Sequence, residues 1–235
     1  MSDSPIAANL AAVRARIAQA AVASHRPPDA VRLVAVSKTF GLDEIRAAIA
    51  AGQRDFGENR VQEALPKIEA LGADPTLRWH LIGHLQSNKA KKAARPFDSI
   101  HSIDSVDLLH LVDEAARENR RSPELLVQVD LAGEETKFGA PVPVAREILQ
   151  AATSLTAARI VGLMLMPPFF DDPEQARPFF RRLRELRDDL LRAGTPPPML
   201  RELSMGMSHD FEIAIAEGAT IVRVGTAIFG SRTRH

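Results

Sequence analysis

Lys38 ends an apolar, β-branched run (residues 32–38, RLVAVSK), and Thr39, Phe40 and Gly41 follow it. Such a run reads as a buried strand. Side chains alternate along a strand, so Val34, Val36 and Lys38 share one face. Burying an ammonium group is costly. A lysine placed there either curls out into solvent or is kept for reactivity. A desolvated amine can attack a carbonyl carbon and form a Schiff base. A second set of candidates lies near the C-terminus. The stretches SMGMSHD (204–210) and RVGTAIFG (223–230) carry Ser208, Gly225 and Thr226. Ser208 is a hydroxyl ahead of a helix, Gly225 lets the backbone approach closely, and Thr226 adds a donor. Together they suit an anion such as phosphate, although an ordinary helix cap and a tight turn use the same residues. Arg223 shares a strand face with Ile221 and Gly225. A buried arginine needs a partner. Either a carboxylate such as Asp130 or an acceptor atom on a ligand would serve, because a guanidinium only donates.

Other polar clusters carry less. His80 and His84 are four apart in WHLIGH (79–84). On a helix that spacing grips a metal, but on a strand the two rings lie too far apart along one face. No metal site is therefore expected. Lys89, Lys91 and Lys92 read as a solvated helix face, and Met164, Met166, Met205 and Met207 as core or pocket lining.

The elements that must position these groups alternate. A helix is predicted over about 5–24, with Ile6, Leu10, Val13 and Ile17 as its apolar stripe. Strands are predicted at 32–38, 54–59, 77–84, 97–103, 125–131, 159–166, 202–207 and 220–229, with helical segments between them. Ser105 is the expected N-cap of the helix after the fourth strand. Phe179, Leu183, Leu186 and Leu190 form the expected buried face of the long helix at 173–192. Eight strand-then-helix units in 235 residues suit an α/β fold, a single-domain (β/α)8 TIM barrel over residues 1–235. An open doubly wound sheet is the alternative. In a barrel the site lies at the C-terminal ends of the strands, where Lys38, Asn59, His84, Asp104 and Lys137 all fall. No glycine-rich dinucleotide fingerprint follows the first strand, and no P-loop is present.

Composition sets outer limits. The chain is 45% hydrophobic and 26% charged, with 30 basic and 30 acidic residues, which suits a soluble globular protein and argues against a dedicated nucleic-acid binder. It contains no cysteine, so disulfides, thiolate nucleophiles and cysteine metal sites are excluded. Arg14 and Arg16 interrupt the N-terminal apolar pattern, which is amphipathic and unlike a secretory leader. No run reaches the length of a membrane span. The expectations are a cytoplasmic monomer without a membrane or nucleic-acid partner. The chain also contains no tyrosine.

The segments VAVSKTF, FGENRVQEALPKI, WHLIGHLQSNKAKKA, VGLMLMPP, LSMGMSHD and VRVGTAIFG resemble the YggS/PROSC family of pyridoxal phosphate homeostasis proteins. The similarity runs in order from near residue 5 to Arg232. It implies a fold-type III barrel like the N-terminal domain of alanine racemase, with pyridoxal 5′-phosphate as the cofactor. By motif it makes Lys38 the Schiff-base lysine and Arg223 the arginine facing the pyridine nitrogen. Ser208, Gly225 and Thr226 match the phosphate contacts, Asn59 the pocket wall, and Lys137 a pocket-side lysine linked to vitamer handling. Arg60 departs from the family, where many relatives carry an aromatic residue.

The resemblance implies a protein that binds the cofactor, and other B6 vitamers, for homeostasis, supplying pyridoxal phosphate-dependent apo-enzymes or buffering its free level. No established turnover attaches to the family. An arginine at the ring nitrogen weakens the ring as an electron sink. Alanine racemase-like chemistry also needs a second base, a tyrosine from a separate domain, and this chain has neither. The alternative is an enzyme using the same Schiff base, such as a slow racemase or lyase. A third reading is a scaffold with an occluded Lys38.

Overall fold

The computed structural model describes residues 5–133 and 138–230. Helix α1 (Pro5–Ala23) leads into β1 (Arg32–Val36). Then come α2 (Leu42–Ala50), β2 (Asp55–Glu58), α3 (Val61–Leu71), β3 (Arg78–Leu81), α4 (Ala90–Ala93), β4 (Ser99–Ile103) and α5 (Val106–Glu118). The second half runs β5 (Glu124–Gln128), α6 (Val142–Ala151), β6 (Arg159–Met164), α7 (Arg177–Arg192), β7 (Glu202–Ser204), α8 (Phe211–Ala216), β8 (Ile221–Val224) and α9 (Thr226–Phe229). All eight strands are parallel and close into a barrel in sequence order, with β8 pairing back onto β1. The chain is a TIM barrel, and the open sheet is excluded by that last pairing.

Register decides which side chains face the axis. Val34 pairs with Arg223, and Gly57 with His80. Val34, Leu126, Val161, Met164 and Ile221 form a small apolar cluster inside the barrel. The alternate positions, among them Ala35, Phe56, Leu81, Ile100, Val127 and Leu203, join the much larger core between strands and helices. Close packing at β6 and β7 requires a glycine. A Cβ on Gly162 would lie 2.0 Å from the Glu202 carbonyl oxygen.

Two expectations shift in detail. The eighth strand stops at Val224 and the chain turns into α9. The outer layer beside β8 and β1 is covered instead by α1, which packs on α2, α8 and α9. Asn9 Nδ2 donates to the Ile228 carbonyl at 2.9 Å, and Arg14 to the Ala51 carbonyl at 2.9 Å. The buried face of α7 begins at Phe180, not Phe179, since Phe179 packs beside Phe170 at the edge. Pro66 lies inside α3, which is continuous across it. Ser105 caps α5 as expected, its hydroxyl accepting from Leu108 N–H at 3.2 Å.

Candidate functional site

Lys38 lies two residues beyond the end of β1 and is half-buried. Phe40 N–H donates to the Ser37 carbonyl at 3.1 Å, which closes a β-turn with Lys38 and Thr39 at its centre. Thr39 takes φ +69°. A β-branched residue in that left-handed region is an outlier, and such strain persists only where the surroundings impose it. Behind the turn, Ser37 and Glu58 are fully buried. Glu58 Oε1 accepts from Ser37 Oγ at 2.7 Å and from Lys67 Nζ at 2.8 Å, and Lys67 also donates to the Ser37 carbonyl at 3.0 Å. Phe40 stacks on Phe229 of α9 with centroids 5.0 Å apart. The turn is thus held from α3 on one side and from α9 on the other.

Arg223 is 3% exposed. Its Nη1 donates to Ser204 Oγ at 2.7 Å and its Nη2 to the Leu165 carbonyl at 3.0 Å. Asp130 is not its partner, because Asp130 Oδ1 accepts from the N–H groups of Ala132 and Gly133. Among the described residues no carboxylate hydrogen-bonds Arg223. Burial lowers its pKa to about 10, against an opposing pull from the Asp210 charge. Asp210 is itself buried and accepts from Met207 N–H at 2.6 Å, and its burial pushes its carboxyl above the ordinary value. A guanidinium has five N–H donors. Two reach uncharged oxygens, so among the described residues the buried guanidinium is hydrogen-bonded by dipoles and feels a carboxylate only at longer range, from Asp210.

Ser208, Gly225 and Thr226 meet as expected. The Gly225 N–H donates to Ser208 Oγ at 3.1 Å, and that of Ala227 at 3.4 Å. Thr226 opens α9 and is exposed. A Cβ on Gly225 would fall 3.3 Å from both the Cβ and the carbonyl oxygen of Val36, so a bare backbone is what fits beside β1. Asn59 follows β2, and its carbonyl oxygen would lie 2.2 Å from a Cβ on Gly83. Asn59 also lines a cavity of about 530 Å³ with Arg60, His84, Lys89 and Phe138. Lys137 lies outside the described residues.

The two histidines part company. His80 is fully buried inside the barrel, bonded to His101 and Asp55. His84 stacks on Phe138 with centroids 3.7 Å apart, and its Nδ1 is 3.4 Å from Asp104 Oδ2. Among the described residues no group of three or more potential ligands is placed to hold a metal. Sequence reasoning missed Ser204, His101, Glu58 and Lys67. A signal for His101 existed, since SIHSI places Ser99 and His101 on one face of a strand.

Comparison with known proteins places this geometry. The family described as alanine racemase, N-terminal domain, matches residues 8–233. The pyridoxal phosphate homeostasis protein of Aquifex aeolicus is 44% identical over 95% of this chain and 96% of its own. That of Escherichia coli K12 is 40% identical over 97% of both chains. The chain belongs to the pyridoxal phosphate homeostasis protein family. A solved family structure is PipY of Synechococcus elongatus PCC7942 with pyridoxal phosphate bound. It is 44% identical, with a TM-score of 0.84 over 96% of this chain and 100% of that one. Alanine racemase of Clostridium difficile shares the fold at 14% identity, with a TM-score of 0.69 over 87% of this chain and 53% of its own. The family barrel thus corresponds to about half of that longer protein. Among the described residues no helix is long and apolar enough to cross a membrane.

Proposed function

We propose that this chain holds pyridoxal 5′-phosphate at the C-terminal mouth of its barrel. It would serve vitamin B6 homeostasis in the cytoplasm as a single-domain monomer, binding other B6 vitamers as well, and buffering pyridoxal phosphate or supplying it to apo-enzymes. The observation that carries this reading is the buried charge of Arg223, whose hydrogen-bond partners among the described residues are a hydroxyl and a carbonyl. Such a group is suited to an acceptor on a ligand. The cofactor, when bound, supplies an aldehyde that condenses with an amine and a ring that withdraws electrons. Lys38 is the amine on the strained turn. Arg223 donates to the ring nitrogen and, keeping its own proton, leaves that nitrogen unprotonated. Ser208 and the N–H groups of Gly225 and Thr226 hold the phosphate. Asn59 walls the pocket, and the family resemblance gives Lys137 a role in vitamer handling. The family relatives and the ligand bound to PipY support this assignment.

A holding role, with no efficient turnover, follows from the ring environment and from the missing second base, since the chain has no tyrosine. One observation favours a slow enzyme as the second reading. His84, backed by Asp104, stands in the cavity that Asn59 lines and has acid–base chemistry of its own. The test begins with an absorption spectrum of the purified protein with added pyridoxal phosphate, then borohydride reduction and peptide mass spectrometry. The expected reduced adduct is on Lys38 and vanishes in Lys38→Ala with unfolding unchanged. Adducts scattered over surface lysines would overturn the reading. Solvent-deuterium exchange at the α-carbon of amino acids separates the two roles. Exchange at enzyme-like rates, lost in Lys38→Ala, would replace the holding protein with an enzyme.

A further inference from the structure

TIM-barrel interiors are filled mainly by branched apolar side chains. Here a file of polar groups crosses the interior. Arg223 Nη1 is 2.7 Å from Ser204 Oγ, and Ser204 Oγ is 2.9 Å from His101 Nδ1. His101 Nε2 is 3.0 Å from His80 Nδ1, and His80 Nε2 is 2.9 Å from Asp55 Oδ1. His80, His101 and Ser204 are fully buried. Asp55 is the first residue of β2, so the file ends at the face opposite Lys38. There Asp55 meets Arg32 at 4.0 Å and Arg78 at 3.9 Å, and Arg78 continues to Glu124 at 3.0 Å.

The two ends give the file a direction. Arg223 only donates, and the Asp55 carboxylate only accepts. With neutral imidazoles, His80 gives its Nε2 proton to Asp55, so its Nδ1 accepts from His101 Nε2. His101 Nδ1 then accepts from the Ser204 hydroxyl, whose oxygen accepts from Arg223. Each bond holds one proton and none is left over. Asp130 and Asp210 accept from backbone N–H groups and are not hydrogen-bonded into the file.

We infer that Ser204, His101, His80 and Asp55 form a positioning relay for Arg223, tying the donor presented to the cofactor ring nitrogen to an ion cluster at the far end of the barrel. The relay sets which guanidinium atoms are spent inward and which stay free for the ligand. Asp55 thereby acts on the site without touching it. The inference rests on the proposed placement of Arg223 against that nitrogen.

The test compares wild type with Ser204→Ala and Asp55→Asn, each titrated with pyridoxal 5′-phosphate and with its 1-deaza analogue, whose ring lacks the nitrogen. Wild type is expected to prefer the nitrogen-containing ring. Each variant should lose about three- to tenfold in affinity for it and little for the deaza analogue. Equal losses for both ligands, or variants that keep the wild-type preference, would overturn the relay. A wild type that binds both ligands equally would instead overturn the placement of Arg223, and the relay with it. Asp55→Asn preserves shape but replaces an acceptor-only carboxylate with a neutral amide that can also donate, which removes the fixed direction, so it carries the test even if Ser204→Ala fails to fold.

Discussion

Lys67 Nζ lies 2.8 Å from Glu58 Oε1, and the side chains are 14% and 0% exposed. The pair sits between α3 and the end of β2, directly behind the Lys38 turn. Removing one member of a buried pair strands the other charge, which costs about 3–5 kcal/mol. Lys67→Met should therefore lose about 3 kcal/mol in urea unfolding, and adding Glu58→Gln should return part of it. A loss under about 1 kcal/mol would place the pair with weak surface bridges. Since Lys67 also holds the Ser37 carbonyl, the rate of adduct formation at Lys38 should fall in the single variant.

Arg223→Gln removes the charged donor proposed for the ring nitrogen and leaves Ser204 with a poorer partner. A hydrogen bond to a charged group contributes about 1.5–3 kcal/mol. The expected outcome is roughly a ten- to hundredfold weaker hold on pyridoxal phosphate, read by equilibrium titration. Unchanged affinity would confine Arg223 to a structural role.

Ser208→Ala frees the N–H groups of Gly225 and Ala227 but removes a hydroxyl from the proposed phosphate cradle. Loss of about 1 kcal/mol of binding is expected for pyridoxal phosphate. Pyridoxal, which has no phosphate, should bind wild type and variant alike. If pyridoxal suffers the same loss, the cradle is elsewhere.

Acid should loosen the barrel from inside. Complete burial, then the charges of Arg223 and Arg32, hold the His101 imidazole well below 6.5. Burial alone would raise the Asp55 carboxyl, but the His80 hydrogen bond and the charges of Arg32 and Arg78 outweigh it and hold it below 3.8. Both folded values are depressed, so the unfolded chain binds the extra proton first. Stability is full above the unfolded values and is lost as pH falls. His101 acts first, below about pH 6.5, at about 1.4 kcal/mol per pH unit. Urea unfolding between pH 7 and 5 should show that slope, and His101→Gln should flatten it. A wild type with no slope there would mean that His101 carries its proton in the folded barrel.

The alternation of apolar runs and amphipathic helices was enough to read a barrel because each strand is buried on both faces and each helix on one. Lys38, Ser208, Gly225 and Thr226 were legible as candidates for a related reason: they stand where strands end, which is where this fold places its sites. The partner of Arg223 was not legible. Asp130 was a reasonable guess from strand position, but the closed register brings β7 beside β8 and offers Ser204. Glu58 looked like one more carboxylate in FGEN, and only the packing of α3 shows that it faces Lys67 away from the mouth.

The sequence by itself determined the elements, their order, and the chemistry available at strand ends, since these follow from local periodicity and residue type. It also excluded thiol chemistry and a tyrosine base outright. The tertiary structure alone decided the interior. Asp55, His80, His101, Ser204 and Arg223 come from five strands and span 169 positions, from 55 to 223. They meet because barrel closure converts alternate positions on separate strands into one continuous axis. Which nitrogen donates and which accepts depends on partners that only the closed barrel brings within reach.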